Sequence, residues 1–208
     1  MKKLVLFLIC ACSISFAHAQ KTAITDTGEE VILYPDGTWK SKSVVKVTVI
    51  PLNPKKFAKP TTSTFLLKST RVNIGVWLDP KVWSFKKADE NEEGEYELQL
   101  KGGDLYAIMI TEKVEIPLET LKGIAVENAR SVSPDVTIVK EEYRTVNNVK
   151  VLLLQMSGTI EGVKFTYFGY YYSNANGTVQ LLTYTSQNLF ASYQVNAEAL
   201  LNGFVEIK

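Results

Sequence analysis

The 208-residue chain has two cysteines and one histidine, and all three sit in its first eighteen residues, at Cys10, Cys12 and His18. From Gln20 onward there is neither residue type. That absence removes the Ser-His-Asp and Cys-His nucleophile systems and the usual zinc and copper ligand sets. It also removes disulfides, so packing alone must hold the fold. No phosphate loop or dinucleotide fingerprint is present, and Gly102-Gly103 is a turn too short to be one. No metal and no cofactor are expected. There is no excess of one charge either. Lys2 and Lys3 belong to an N-terminal leader, and their loss takes the formal net charge from +1 to −1, which argues against a nucleic-acid partner.

What is present begins with that leader. Lys2 and Lys3 form a positive n-region, Leu4 to Phe16 is uncharged and mostly apolar, and Ala17-His18-Ala19 is the small-x-small pattern of signal cleavage. Cleavage between Ala19 and Gln20 is expected, and the protein is expected to be secreted or periplasmic. The apolar run of 13 residues is too short to span a bilayer, which takes about 20. No later segment is long and apolar enough, so no integral membrane span is expected. Ile9-Cys10-Ala11-Cys12 loosely resembles a bacterial lipoprotein box, and a lipid anchor at Cys12 is the alternative.

Four segments follow from the patterning: the leader (1–19), a short β-module (20–42), a linker or edge strand (43–69) and an α+β sandwich domain (70–208). In the β-module, strand-like residues flank Asp26-Thr27-Gly28 and Pro35-Asp36-Gly37, where Pro pre-sets φ and Gly accepts a positive φ. Pro51, Pro54 and Pro60 argue against a central strand in the linker, with Val44 to Ile50 as a candidate edge strand. Residues 96–100 alternate in polarity, whereas Leu105 to Ile110 is apolar throughout and is expected to be covered on both faces. Pro117 to Ala129 has helical spacing. Four strands then run from Val136 to Ser186, and a closing helix is expected over Phe190 to Phe204 with Gly203 as its C-cap. In the third of those strands, Val163, Phe165, Tyr167 and Tyr171 share one face and Phe168, Tyr170 and Tyr172 the other. Large rings on both faces make it central. The fold class is α+β, a mainly antiparallel sheet sandwiched with helices.

Two resemblances accompany this order. Residues 25–40, TDTGEEVILYPDGTWK, resemble a short DGTW element found behind the signal peptides of secreted bacterial proteins. Residues 74–207 resemble the PsbP-like α/β sandwich, named for the extrinsic proteins of photosynthetic oxygen evolution. The residues that carry this are the turn Leu78-Asp79-Pro80-Lys81-Val82-Trp83, the hairpin of Glu97 to Leu100 with Leu105 to Ile110, the aromatic run Gly169-Tyr170-Tyr171-Tyr172, and the closing helix. The resemblance implies a scaffold for docking and assembly rather than a catalytic constellation.

The leading expectation is an exported, non-enzymatic interaction or assembly module of the cell envelope, with a protein or envelope component as partner. Trp39 and Tyr34 of the β-module, with Tyr170 and Tyr172, form the candidate binding surface. No catalytic residue is assigned. One alternative is a carboxylate-dependent polysaccharide hydrolase, for which Glu92, Glu93 and Glu95 or the pair Glu141-Glu142 are the acidic candidates, although a solvated loop and strand face are the simpler account of both. The other is a binder of a small apolar or sugar ligand between sheet and helix. Expressed with its leader in a bacterial host, the exported protein should begin at Gln20 by intact mass and N-terminal sequencing. Recovery with Lys2 and Lys3 still attached would refute the cleavage.

Overall fold

A computed structural model of the chain describes residues 21–26, 28, 30–41, 49–88 and 94–207. The leader, its Ala19/Gln20 junction, Cys12, Glu92, Glu93 and most of Val44 to Ile50 lie outside the described residues. The described residues form two compact units, one holding the N-terminal strands and one everything from residue 49 on.

The first unit is an antiparallel meander of β1 (Lys21–Ile24), β2 (Glu30–Leu33) and β3 (Trp39–Ser41). Its second turn shows why Pro-Asp-Gly-Thr is written there. Gly37 N–H donates to the Tyr34 carbonyl at 3.1 Å, and Tyr34 N–H donates to the Thr38 carbonyl at 2.9 Å. Gly37 takes φ +81°, the left-handed residue of a three-residue hairpin loop. Asp36 Oδ1 accepts from both Thr38 N–H (2.9 Å) and Thr38 Oγ1 (2.6 Å), and these bonds hold its carboxyl below the usual range.

The second unit is built on an eight-stranded sheet. In chain order its elements are β4 (Leu52–Phe57), β5 (Phe65–Lys68), β6 (Ile74–Leu78), β7 (Trp83–Lys87), β8 (Tyr96–Leu100), β9 (Tyr106–Glu112), α1 (Leu118–Val132), β10 (Thr137–Val146), β11 (Val149–Ile160), β12 (Val163–Asn174), β13 (Gly177–Ser186), α2 (Phe190–Leu201) and β14 (Phe204–Glu206). The large sheet runs β4-β10-β11-β12-β13-β9-β8-β7, antiparallel except where β4 lies parallel to β10. A second sheet, β14-β6-β5, has three strands.

The turns that set this register are local. Asn147-Asn148 joins β10 to β11 with both residues at positive φ (47° and 68°), and Glu161-Gly162 joins β11 to β12 likewise (50° and 82°). Paired left-handed residues give the two-residue turn whose twist matches the strands. From these turns each residue of β12 faces a fixed partner on β11 and β13. Phe168, Tyr170 and Tyr172 go to one face and Phe165, Tyr167 and Tyr171 to the other, so both faces of β12 carry a core.

The two faces are covered differently. On the first, α2 and the small sheet pack over the large one: Leu200, Leu201 and Phe204 join Val76, Leu78, Met109, Phe168 and Leu181 in the main core. On the second, α1 lies over β11 and β12 through Leu121, Ala125, Val126 and Ala129. The molecule is mostly sheet with two helices, a coarser form of the α+β class expected.

Several expectations are corrected. The closing helix ends at Leu201, and Phe204 opens β14, which pairs with β6 (Phe204↔Val76). Gly203 marks a close approach: a Cβ there would sit 1.9 Å from the Trp77 carbonyl oxygen. Within the stretch read as linker or edge strand, residues 52–57 form the edge strand β4. Pro54 fits there because an edge strand can omit a ladder donor. Leu105 to Ile110 is covered on one face only, for β9 alternates half-buried Tyr106, Ile108 and Ile110 with buried Ala107, Met109 and Thr111.

Gly203→Ala should destabilise the protein by about 3 kcal/mol, the upper end for overpacking, because the obstructing atom is backbone. Urea denaturation checks this; a loss below about 0.5 kcal/mol would show that the approach of α2 to β6 relaxes freely.

Candidate functional site

The half-covered face of β9 is the starting point. Strand pairing aligns side chains in rows across the sheet, and three rows on the α1 side are read from the register. The first runs Ser84, Gln99, Tyr106, Tyr184, Tyr167, Met156. The second runs Lys86, Glu97, Ile108, Leu182, Gly169, Leu154. The third includes Ile110 and Gln180. The first two rows pass from polar side chains at the β7 edge to rings and aliphatic groups and end beneath α1.

These residues shape a trough. Its inner cavity, about 380 Å³, lies between strands β9, β13 and a wall formed by Ala125, Asn128, Ala129 and Val132 of α1. An outer cavity of about 370 Å³ lies over β7, β8 and β9, and Tyr184 lines both. The floor is a tyrosine ladder. Tyr106 and Tyr184 stack with ring centroids 5.7 Å apart and planes at 22°, and Tyr184 and Tyr167 lie 5.8 Å apart at 58°. Tyr167 in turn meets Phe165 edge-on at 4.7 Å. Offset and tilted ring pairs at these distances are favourable contacts, each contributing about 0.5–1.5 kcal/mol. Burial raises the Tyr167 hydroxyl above its ordinary pKa. Leu182 leans across the gap left by Gly169, where a Cβ would meet Leu182 Cδ2 at 2.5 Å. The ion pair Lys86–Glu97, at 2.7 Å, closes the polar end.

Of the residues named from sequence, Trp39 and Tyr34 belong to the first unit, and Tyr170 and Tyr172 lie on the opposite face of β12 from the trough. Trp39 is 58% exposed and Tyr34 37%, both in the N-terminal meander, where Trp39 pairs with Leu33 across β2 and β3. Tyr170 and Tyr172 are not surface residues. Tyr170 is fully buried, donating to Asn202 Oδ1 at 2.8 Å and accepting from Arg144 Nη1 at 3.2 Å; burial pushes its pKa up to about 12. Tyr172 packs on Phe204. Both lie under α2 and the small sheet because β12 is central, so a ring-rich strand there feeds the core.

The acidic candidates are also relocated. Glu95 is not solvated. It is 5% exposed and accepts from Ser69 Oγ (2.6 Å), Thr70 N–H (2.5 Å), Thr70 Oγ1 (2.8 Å) and Thr111 Oγ1 (2.6 Å). Burial raises its pKa, but these donors outweigh burial and leave it lowered. Glu141 and Glu142 point to opposite faces, as strand neighbours must. Glu141 pairs with Lys122 of α1, while Glu142 is buried and accepts from Arg144 Nε at 2.6 Å. A hydrolase needs one carboxyl held protonated. The carboxyls of Asp36, Glu95, Glu119, Asp135 and Glu142 are instead all lowered. No group of three or more His, Cys, Asp or Glu able to hold a metal occurs among the described residues.

No family model matches the chain, and no curated protein matches it. The structure is similar to the solution structure of cyanobacterial PsbP (CyanoP) from Synechocystis, with a TM-score of 0.52 and 11% identity over 71% of this chain and 94% of that one. The fold is PsbP-like. A protein of unknown function from Pseudomonas aeruginosa superposes with a TM-score of 0.45 and 10% identity, over 69% of this chain and 97% of that one. LpqN from Mycobacterium tuberculosis, described as involved in cell envelope biogenesis, gives 0.38 and 14%, over 74% and 83%. These two looser superpositions add nothing to the fold assignment. In PsbP-like terms, the turn at Leu78 to Trp83 closes on Asp79, whose carbonyl accepts from Trp83 N–H at 2.9 Å and whose Oδ1 accepts from Lys81 N–H at 2.9 Å.

Sequence reasoning missed Tyr106, Ile108, Leu182 and Tyr184. A usable signal was there: apolar residues on both faces of β9 in a chain with only one helix predicted before the closing one.

The buried Glu95 carboxylate ties the loop before β6 to β9, and its lowered pKa fixes the direction of a pH effect. Its stabilisation is complete above the unfolded value of about 4.3 and is lost as pH falls through the lower folded value. Stability measured by urea from pH 6 to pH 3 should therefore fall, and Glu95→Gln should flatten that fall while lowering stability at pH 6 by roughly 2–3 kcal/mol. An unchanged pH slope in Glu95→Gln would assign the acid loss to other groups.

Proposed function

We propose that this protein is an exported, non-catalytic binding module of the cell envelope, and that it holds its partner in the trough beside α1. The observation that carries the reading is the exposed floor of that trough. Strands β9, β12 and β13 present Tyr106, Ile108, Ile110, Tyr167, Leu182 and Tyr184 half-buried on one face, with cavities of about 380 and 370 Å³ along it. Such sizes fall within the range of ligand sites, and apolar surface rimmed by polar groups marks sites of interaction.

Export is supported by the three-part leader. Absence of catalysis is supported by a chain that lacks histidine and cysteine after residue 18 and by carboxylates held ionised rather than protonated. No helix among the described residues is long and apolar enough to cross a membrane. Trp39 and Tyr34 form a second exposed aromatic surface, on the N-terminal meander.

A photo-crosslinking side chain tests the reading. Placed at Gln99, which is exposed and lines the outer cavity, it should yield a discrete adduct when cells expressing the protein are irradiated. The same side chain at the exposed turn residue Glu161 should yield none. Equal labelling at the two positions, or none at either, would remove the trough as the binding site.

A further inference from the structure

The trough's two cavities differ in chemistry, and the difference selects a class of ligand. No charged side chain lines the inner cavity, where Ile108, Ile110, Leu182 and Met156 surround the tyrosines and Asn128 and Gln180 supply the amides. The outer cavity carries Ser84, Gln99 and the Lys86–Glu97 pair. The two charged side chains of this lining are of opposite sign and 2.7 Å apart, so the lining itself carries no net charge. Tyr184 belongs to both linings, so the polar and the apolar cavity adjoin at its ring.

Building on the reading of the trough as the binding site, we infer that its ligand is an amphiphile with an uncharged, hydroxyl-rich head. The apolar chain lies in the inner cavity against α1, and the head sits over Ser84 and Gln99. An apolar chain is stabilised by each CH₂ it buries there, whereas a charged group in the inner cavity would be desolvated without a partner.

Two other occupants fit less well. A free sugar stacks on open ring faces, but Tyr106 and Tyr184 are stacked on each other at 5.7 Å. A peptide strand adds to a sheet edge through backbone hydrogen bonds, and this trough lies on a sheet face.

The test is an amide-shift NMR titration of the exported protein with octyl glucoside below its micelle concentration. Methyl glucoside and octyl sulfate serve as the head-only and charged-head probes. Octyl glucoside should bind saturably, shifting Ile110, Ala129 and Leu182. Methyl glucoside should shift none of them, and octyl sulfate should bind about tenfold more weakly. Asn128→Trp and Val132→Arg, both at exposed positions on α1, should each weaken octyl glucoside by about tenfold or more while leaving the unfolding midpoint unchanged. The inference is overturned if methyl glucoside gives the same shifts, if octyl sulfate binds equally well, if the shifts fall outside the trough, or if both variants bind as wild type. If octyl glucoside fails while the Gln99 adduct persists, the amphiphile is wrong and the trough stands. If both fail, neither reading survives.

Discussion

One helix cannot cover one face of an eight-stranded sheet. Neighbouring strands lie about 4.8 Å apart, so the seven spacings from β4 to β7 span roughly 34 Å, whereas a helix with its side chains is about 10 Å across. On the first face the problem is solved by adding width, with α2 and the three strands of the small sheet laid side by side. On the second face α1 occupies the middle of the sheet, over β11 and β12. The strands on one flank, β13, β9, β8 and β7, keep the trough. Its wall exists because α1 stops there, and its apolar floor is where β9 and β13 present Tyr106, Ile108, Ile110, Leu182 and Tyr184 on the face that α1 leaves half-covered.

The solid face depends on two buried carboxylates. Glu142 and Arg144, two residues apart on β10, point into the main core, and Arg144 is 2% exposed. The guanidinium donates to Glu142 and Tyr170 and lies 4.4 Å from the Phe57 ring of β4. Asn53 of β4 also donates to Glu142, at 3.2 Å. The parallel edge strand is therefore tied to the sheet by side chains as well as backbone. Removing either member of such a pair leaves a buried charge uncompensated, which costs roughly 3–5 kcal/mol. Glu95 acts similarly at the other end, binding the loop before β6 to β9. Without disulfides, these polar ties and the main apolar cluster fix how the small sheet docks.

Much of the fold was legible because it is written in local patterns. The four-strand meander follows from alternation and from turns at Asn147-Asn148 and Glu161-Gly162. α1 follows from Leu121, Ala125 and Ala129 at helical spacing, with Pro117 before it. The short strands β5 and β14, with four and three residues, are too short for a period to show, and β7 ends in Lys86-Lys87, which breaks its alternation. Phe204 continued the apolar spacing of α2 and so read as helix, although its pairing with Val76 makes it strand. The candidate site was the least legible part. Tyr170 and Tyr172 looked available as rings but lie in the core, while Tyr106 and Tyr184 looked like core and form the trough floor. Local pattern gives which residues share a face of a strand and cannot give what lies on that face.

By itself the sequence determined the lack of histidine and cysteine chemistry beyond its first eighteen residues, the central place of β12 and the mainly antiparallel order. These rest on composition, on period-two alternation and on turn residues, all of them short-range. Tertiary structure decided which carboxylates were buried and paired, that the chain end returns as a strand beside β6, and that one flank of the sheet keeps a half-open apolar face. Those depend on packing between segments far apart in the chain, where the width of a sheet is set against the width of a helix.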